Sequence, residues 1–420
     1  DTYTIRFWHN CNDSNTAMIE EAARAFEQAN PGITIEAPKI SASYAQLRDN
    51  VINGIPANDY PDIFYGYPDS VQAINEYGVI AKLDSLVDDP EIGWSADKKK
   101  DVIEAYLNEG KSYPTAGLYS LPFSKSTEVM CWNQGILDGL NLSNEDPTIN
   151  GGEPLNKDYF DNLTWEELFD KLCPALLKNK TVTDYLDMSG NYAIFAYDSD
   201  ANWFITLAEQ YGYGYTGIDS ASQKGTLLFD NQNMRDLVLK YKGYYDKHYF
   251  QTQGTSGAYT SNMFVARQAL FTVSSTAGVA ANCTKGDFAI ELSPVPHAAG
   301  KDAKVINQGP SVALLSHKDN NRLKWAWKFY NYFLDNYSLA WSINTTYLPV
   351  LNSQYNSPEY INAKSTTGKT NPSSTYAKAQ IFNYIPTVSD TLFSSVVFKG
   401  SDAARDEVGA LFNTAKNTTG

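Results

Sequence analysis

The chain has 420 residues, more than one hydrophobic core usually holds, so we expect two domains. Forty-eight acidic residues against 33 basic ones give a net charge of −15, which argues against nucleic acid as a partner, because neutralising phosphates needs a basic face. The same charge makes copies repel one another and predicts a monomer. No run of 18 apolar residues occurs, so no membrane-spanning helix is predicted.

Cysteines and aromatic residues are the next compositional features. Four cysteines in a chain of this length form no CxxC pair; buried free thiols are the favoured interpretation, with a single disulfide as the alternative: Cys11, Cys131, Cys173 and Cys283. The chain also carries 29 tyrosines, 8 tryptophans and 19 phenylalanines. A buried tyrosine hydroxyl needs a partner, so this excess predicts a polar recognition surface lined by rings. The alternative is that many tyrosines decorate the surface.

The first eighty residues alternate between strand and helix patterns. Strands are predicted at 3–8, 33–37 and 61–67, and helices at 13–29, 44–55 and 68–78, the first of them capped by Asp13, Ser14 or Asn15. This order predicts a parallel sheet with right-handed crossovers. Ligands of open sheets lie at the carboxyl ends of the strands, which here are residues 9–10, 41–44 and 65–69.

The rest of the chain is less regular. A polar insertion covers 139–162, and Thr164 then caps a helix with Glu167 at the capping-box position. Strands are predicted at 269–276 and 305–316, with helices at 203–215, 233–250 and 322–334, and "AARDEVGALFNTAK" at 403–416 closes the chain. Trp325 and Trp327 lie on the amphipathic helix 322–334 and are assigned to packing.

Catalytic and cofactor patterns are absent from the sequence. The four histidines have no metal-ligand spacing, and no HExxH or GxSxG motif occurs. "GYGYTG" at 212–217 matches a dinucleotide pattern, but it follows a helix instead of a strand, so we interpret it as a turn. We therefore predict no catalytic residue, no metal and no cofactor. A pair of carboxylates that cleaves glycosides remains an alternative.

The stretch "YDSDANWFITLAE" at 197–209 allows two interpretations. Asp198, Asp200 and Asn202 alternate as in a calcium loop, with Glu209 at the twelfth position. However, the sixth position holds Trp203 where such a loop needs glycine. A helix capped by Asp200 or Asn202 is the favoured interpretation. Trp203 then either packs inward or faces a cleft as a stacking platform.

Several motifs, in order, resemble those of a known family. They are "TIRFWHN", "FEQANPGITIE", the block from Tyr44 to Val87, "YSLPFSKSTEVMCWNQGILDGLNL", "LTWEEL", "MFVARQALFTVSST", "LSPVPHAAG", "NQGPSVALLS", "KWAWKFYNYFL" and "YLPV". Together they resemble the extracellular solute-binding proteins of ABC transporters, of the sugar-binding type that is similar to maltose-binding protein. The departures are the long insertion at 143–162 and Arg267-Gln268, where Gly-Lys is usual.

The resemblance implies an α/β fold of the type II periplasmic-binding-protein kind. It has two lobes, three crossovers between them and a ligand cleft that closes by hinge motion. We place one lobe at 1–122 plus 298–345, the other at 123–297 plus 346–420, and the crossovers near 122–125, 293–298 and 344–347. The resemblance also implies export, permease subunits of an ABC importer as partners, and periplasmic or cell-surface localisation. A lipid anchor would sit on an N-terminal cysteine outside this sequence.

The resemblance further implies sugar contacts at strand ends that face the cleft. The ligand-binding residues carried over on this basis are His9, Asn10, Tyr44, Tyr67, Asp69, Ser126, Trp203, Ser275, Thr276, Gln308, Tyr347 and Phe393. Rings would stack on the apolar faces of the sugar, and carboxylates or amides would hold its hydroxyls. Asp69 is expected either as a ligand or as a helix cap, and His9 either as a ligand or as a structural hydrogen-bonding group.

The expected function is oligosaccharide binding for import, with malto-oligosaccharide ahead of xylan- or mannan-derived sugars. A carbohydrate-active enzyme is one alternative. The same fold with a polyamine, an iron complex or a sugar phosphate is the other, and a phosphate would require arginine or lysine in the cleft.

Overall fold

The computed structural model describes residues 1–365 and 372–418, which contain short strands and many short helices. Strands β1 to β14 are, in order, Tyr3–Trp8, Ile33–Glu36, Ile63–Gly66, Leu121–Pro122, Glu128–Asn133, Phe195–Tyr197, Thr216–Ile218, Gly225–Leu227, Phe250–Thr252, Phe271–Ser275, Ile290–Ser293, Val305–Ile306, Ser311–Leu314 and Leu392–Phe393. Helices α1 to α22 are, in order, Asp13–Ala29, Tyr44–Gly54, Pro68–Asn75, Asp84–Val87, Ala96–Asp101, Glu104–Gly110, Gln134–Leu137, Lys157–Asp161, Trp165–Glu167, Cys173–Lys178, Lys180–Tyr185, Asp200–Tyr211, Gln232–Asp246, Gln253–Ser256, Thr260–Val265, Thr276–Asn282, Asn320–Asn336, Ser338–Thr345, Pro358–Ala363, Ser374–Val388, Ser401–Gly409 and Leu411–Lys416.

Two five-stranded sheets organise these elements. The first has the order β2-β1-β3-β13-β4, in which β1 is parallel to β2 and β3 while β13 is antiparallel to β3 and β4. The second has the order β11-β5-β10-β6-β9, with β5 antiparallel to β10 and β11 and the remaining pairs parallel. We call the part built on the first sheet the first lobe and the part built on the second sheet the second lobe.

Sequence patterns explain most of these elements. The alternation predicted at 3–8 forms β1, and the helix that follows ends at Ala29 before Asn30-Pro31-Gly32, as predicted. The N-terminal cap of α1 is Asn12, whose side chain accepts a hydrogen bond from the Asn15 amide. The predicted caps, Asp13, Ser14 and Asn15, are therefore wrong. The Thr164 cap is confirmed, because its side chain accepts from the Glu167 amide.

The chain passes between the lobes three times, and the three passages run side by side. The amide and carbonyl of Ser126 pair with those of Gln308 at 2.9 Å each, and the Leu348 amide donates to the Lys125 carbonyl at 2.7 Å. The second passage lies near 306–310 instead of 293–298, since the backbone at 297–304 still contacts helices of the second lobe. Because this passage falls within it, the strand predicted at 305–316 is divided into β12 and β13.

The lobe boundaries proposed from the sequence can be compared with the two sheets and with one further connection. All ten strands of the two sheets fall inside the segments predicted for their lobes. The segment 392–401, however, also contacts the first lobe: the Val397 amide donates to the Ser112 carbonyl at 2.8 Å. The C-terminal part of the chain thus contacts both lobes.

Two further predictions, on the cysteines and on the "GYGYTG" pattern, have structural outcomes. All four cysteines are buried free thiols, as favoured. Gly212 and Gly214 have positive φ after α12, so the "GYGYTG" pattern is a turn, as predicted. Arg267 has a φ of 64°, a backbone conformation that favours the glycine usual at this position. Among the described residues, no helix is long and apolar enough to cross a membrane.

Trp325 and Trp327 pack as predicted. Trp327 is fully buried and donates its indole N–H to the Ile92 carbonyl at 2.7 Å, while Trp325 lies edge-on to Phe26. Helix α17 therefore covers the first sheet with its aromatic face.

Candidate functional site

A cavity of about 580 Å³ lies between the two lobes. The first lobe contributes the start of α3, and the second lobe contributes the start of β5, the end of β10 and the start of α12. The passage at 306–309, the segment 394–397 and helix α21 complete the wall. The polar and aromatic residues that line the cavity are Arg48, Tyr67, Asp69, Ser70, Glu109, Glu128, Asp198, Ser199, Asn202, Tyr215, Ser274, Ser275, Asn307, Gln308, Ser394, Ser395, Ser401, Asp402 and Arg405.

The lining is rich in hydrogen-bonding groups. It holds carboxylates, amides, serine hydroxyls and two guanidinium groups, and its aromatic residues are Tyr67 and Tyr215. Two lining residues carry buried atoms without a partner among the described residues, namely Ser274 Oγ and Asn307 Oδ1. Because buried polar atoms are normally hydrogen-bonded, these two atoms indicate room for a polar ligand.

On the first lobe, α3 presents Tyr67 and Asp69 to the cavity. Pro68 opens the helix, which fits the first helical position, and Tyr67 precedes it with 39% of its surface exposed. Asp69 lies in the first turn without capping the helix, and its Oδ1 accepts a hydrogen bond from the Ser401 hydroxyl. Burial raises the pKa of Asp69, partly offset by this bond and by Arg405. The bond connects α3 with α21 across the cleft.

On the second lobe, Glu128 opens β5 and is almost fully buried. Its Oε1 accepts from the Tyr197 hydroxyl, and its Oε2 accepts from Asn202 Nδ2 at 3.1 Å. Burial raises the pKa of Glu128 to about 7, against the lowering effect of Tyr197, Asn202 and Arg405. A carboxyl at the cavity wall therefore changes charge near neutral pH.

This raised pKa predicts a pH-dependent stability. The folded protein holds the Glu128 proton up to about pH 7, whereas the unfolded chain releases it near pH 4.5. The free energy of unfolding should therefore fall by about 3 kcal/mol between these values, because the unfolded state binds fewer protons. Urea unfolding of wild type and Glu128→Gln at several pH values checks this, and the variant should lack that part of the decline. An identical decline in both proteins would contradict the assignment.

Beneath the cavity, Lys125 and Glu109 form a buried ion pair. Lys125 Nζ donates to Glu109 Oε1 at 2.6 Å and to the Gly309 carbonyl at 2.7 Å. Glu109 Oε2 accepts from Asn307 Nδ2 at 2.9 Å, and Oε1 also accepts from the Ser311 hydroxyl at 3.0 Å. The pair therefore ties the first and second passages to α6.

Arg405 projects into the cavity from α21. Its Nη2 donates to Asn202 Oδ1, and no carboxylate of the described residues forms an ion pair with it. Asp69 and Glu128 are near enough for Arg405 to lower their pKa values. The guanidinium thus offsets part of the negative charge of the wall.

Four of the residues predicted to bind ligand line this cavity: Tyr67, Asp69, Ser275 and Gln308. Ser275 caps α16, and the Gln308 side chain accepts from Asn202 Nδ2 at 2.9 Å while donating to the Thr127 carbonyl at 3.3 Å. Residues that are separate in sequence thus line one cavity.

Four others have structural roles instead. His9 is fully buried, with Nε2 at 2.8 Å from the Ala37 carbonyl and Nδ1 accepting from the Cys11 amide. Ser126 contacts Gln308 through its backbone, and the buried Thr276 hydroxyl lies 3.3 Å from the Thr127 carbonyl and amide. Trp203 has 0% of its surface exposed, so it packs inward and is not a platform in the cleft.

The remaining four lie outside the cavity lining. Tyr44 meets the Tyr67 ring edge-on at 4.7 Å, and Tyr347 lies parallel to Trp341 at 6.5 Å. Asn10 is half-buried in the loop after β1, and Phe393 belongs to β14.

The stretch 197–209 forms a capped helix, with Ser199 as the cap instead of Asp200 or Asn202. Asp198 accepts from the Thr260 amide at 3.0 Å, and Asp200 accepts from the Gly254 amide at 2.8 Å. In the described part of the chain, no group of three acidic, histidine or cysteine residues is placed to hold a metal ion. Asp198 and Asn202 instead line the cavity.

Several lining residues were missed by the sequence analysis. Glu128 could have been found as an acid that opens an otherwise apolar strand, "EVMCWN". Arg405, Ser401 and Asp402 had no comparable signal, because residues 394–400 separate α21 from the two-residue strand β14, and the helix does not begin directly at a strand end.

The fold and cleft are those of a two-lobed binding protein, and comparisons with known proteins agree. The family model for the bacterial extracellular solute-binding protein matches residues 21–367. The sn-glycerol-3-phosphate-binding periplasmic protein UgpB of Salmonella typhimurium is 23% identical over 360 residues, covering 84% of this chain and 75% of that protein.

Two solved structures are similar over the whole chain. UgpB from Mycobacterium tuberculosis in complex with glycerophosphocholine has a TM-score of 0.70 at 17% identity, covering 99% of this chain and 96% of that one. The cyclic alpha-maltosyl-1,6-maltose binding protein from Arthrobacter globiformis has a TM-score of 0.72 at 15% identity, covering 99% and 95%. The chain belongs to the bacterial extracellular solute-binding protein family.

Proposed function

We propose that this protein is the binding component of an ABC importer and captures an oligosaccharide, with malto-oligosaccharide as the best candidate. The observation that carries the proposal is the cavity between the lobes, where hydroxyls, amides and carboxylates surround the exposed ring of Tyr67. Sugars combine apolar C–H faces with many hydroxyls, and such a lining matches both. The relative from Arthrobacter globiformis, named for an oligosaccharide, supports the choice.

Binding without catalysis fits the same observations. The relatives reported above are named as binding proteins. The cavity carboxylates are engaged in hydrogen bonds with the protein, as Asp69 is with Ser401 and Glu128 with Tyr197. We propose that these bonds orient the carboxylates to accept sugar hydroxyls while the lobes close around the ligand.

Titration calorimetry tests the function directly. Maltotetraose, xylotetraose, mannotetraose and their parent monosaccharides would be titrated into the protein, with product analysis of each mixture afterwards. We expect binding of one tetrasaccharide without cleavage. Cleavage of any sugar would contradict a binding role, and the absence of heat with every sugar would contradict the oligosaccharide.

Within this function, Asp69 is proposed to accept hydrogen bonds from the sugar. Asp69→Asn should weaken sugar binding roughly 10- to 100-fold, because hydrogen bonds to a charged acceptor are worth about 1.5–3 kcal/mol. Asp13→Asn is the matched control, since Asp13 is an exposed acid in the first turn of α1 and does not line the cavity. Equal affinities for Asp69→Asn and wild type would remove Asp69 from the site.

Arg405 favours a second candidate, a solute with a phosphate group. Arginine recognises phosphate through paired donors, and Arg405 has no carboxylate ion-pair partner among the described residues. The UgpB of Salmonella typhimurium is named for sn-glycerol 3-phosphate, and that of Mycobacterium tuberculosis was solved in complex with glycerophosphocholine. The carboxylates of Asp69 and Asp402 line the same cavity and would repel phosphate, so we place this candidate second.

Arg405→Ala distinguishes the two candidates. If the ligand is sn-glycerol 3-phosphate, the variant should lose about 100-fold in affinity, since a charge-assisted bond is lost. For a neutral sugar the loss should stay near fivefold. Calorimetry of wild type and variant with both ligands measures the difference. Tight wild-type binding of glycerol phosphate would move this candidate to first place.

A further inference from the structure

A second cavity, of about 650 Å³, lies beside the first one and also has walls from both lobes. The first lobe provides the end of α3 and the loop at Pro114–Thr115. The second lobe provides the turn of the β7–β8 hairpin, from Ser222 to Gly225. Phe398 and Lys399 complete it. Because its walls belong to different lobes, its width depends on how far the lobes are closed.

Helix α3 and the segment after β14 line both cavities. Asp69 and Ser70 of α3 face the first cavity, and Gln72, Asn75 and Glu76 face the second. Asn75 lies six positions after Asp69, a rise of roughly 9 Å along the helix axis. The segment 394–402 also lines both cavities: Val397 and Ser401 line the first, and Phe398 lines the second. The two cavities therefore share two of their walls.

Amide, hydroxyl and carboxyl side chains line the second cavity, as they line the first. Asn75 Nδ2 donates to Gln72 Oε1 at 3.3 Å, and Gln72 Nε2 donates to Glu76 Oε1 at 2.9 Å. This chain of side-chain bonds fixes the orientation of the amides on α3. Gln223 and Lys224 face it from the hairpin, so polar groups are present on both sides.

Contact with Phe398 positions the hairpin. A methyl group on Gly225 would lie 1.9 Å from Cδ2 of Phe398, so only glycine lets the strand rest on this ring. The residues Leu227 and Leu228 that follow remain exposed. The hairpin thus closes the second cavity because it is held against the segment that also lines the first.

We propose that the second cavity binds a further saccharide unit of the oligosaccharide held in the first cavity. This inference rests on the proposed function and adds chain-length preference to it. A ligand that reaches past Phe398 would contact the amides of α3 and the hairpin together. Longer sugars would then gain affinity and stabilise the closed arrangement of the lobes.

Calorimetry with maltose, maltotriose, maltotetraose and maltohexaose tests the proposal on three variants. Asn75→Ala removes hydrogen-bonding groups, Asn75→Trp fills the cavity, and Asn336→Ala is a control at an exposed asparagine of the same lobe that lines neither cavity. Circular dichroism and thermal unfolding establish that each variant is folded.

We expect wild type to bind the longer sugars more tightly than maltose. Asn75→Ala should weaken the longest sugar about fivefold and leave maltose unchanged, and Asn75→Trp should remove the whole advantage of length. The control should match wild type. Equal effects on all lengths, or no effect of Asn75→Trp, would overturn the second site while sugar binding itself stands. Absence of binding for every sugar in wild type would overturn the proposed function and this inference together.

Discussion

Replacing Lys125 with methionine is expected to lower the free energy of unfolding by about 3–5 kcal/mol, because the buried carboxyl group of Glu109 would lose its ion-pair partner. Lys125 is fully buried, and its ammonium group also holds the Gly309 carbonyl. Burial alone lowers the pKa of Lys125, and Glu109 opposes that effect. Urea unfolding of the purified variant measures the loss.

The same substitution should also weaken ligand binding. Glu109 lines the cavity and holds Asn307 and Ser394, so a displaced carboxylate would move both side chains. Lys180→Met is the matched control, since Lys180 forms an exposed pair with Asp184 on α11 and should leave stability and binding unchanged. A Lys125→Met protein as stable as wild type would show that the buried pair is dispensable.

Replacing Trp203 with alanine is expected to cost about 3–5 kcal/mol of stability, the range for truncating a large buried aromatic side chain. The indole stacks on Tyr197 at 5.1 Å with an angle of 8° between the rings, and it meets Phe250 edge-on at 4.8 Å. Phe412 contacts it from the C-terminal helix at 5.1 Å. Removing the ring would leave a void among three elements.

Trp203→Phe separates packing from ligand stacking. Phenylalanine keeps most of the buried contact, so this variant should lose less stability than alanine and bind sugar as wild type does, because Trp203 does not line the cavity. Thermal unfolding and calorimetry of the two variants provide both measurements. Loss of sugar binding in Trp203→Phe with unchanged stability would support the stacking platform that the buried position argues against.

Local patterns were sufficient for much of the fold. The alternation of β1, the Asn30-Pro31-Gly32 end of α1 and the Thr164 cap depend on neighbouring residues alone, and all three were predicted. The passage near 306–310 was misplaced because Lys304 and Gln210 meet across 94 residues of sequence, a contact no local pattern reveals. A strand pattern such as 305–316 also gives no sign of where it divides between two lobes.

The site residues could likewise be predicted only where local sequence patterns determine their position. Tyr67 directly follows β3 and Ser275 is the last residue of β10; a ligand is expected at such strand ends in an open sheet, and both residues line the cavity. Trp203 and His9 also occupy suggestive positions, but burial depends on what packs above them, which the sequence does not show. Glu128 and Arg405 reach the same wall from β5 and α21, elements that are far apart in the chain.

The four buried cysteines provide a chemical probe of unfolding in each lobe. Cys11 follows β1 of the first lobe, while Cys131, Cys173 and Cys283 belong to the second. Burial raises the pKa of the Cys11 thiol to about 12 and those of Cys131 and Cys173 well above their usual range, so the reactive thiolate is scarce in the folded state. A thiol reagent should therefore modify these positions only after local or global unfolding. Peptide mapping of the modified cysteines would then give separate unfolding rates for the two lobes, and the effect of a ligand on each.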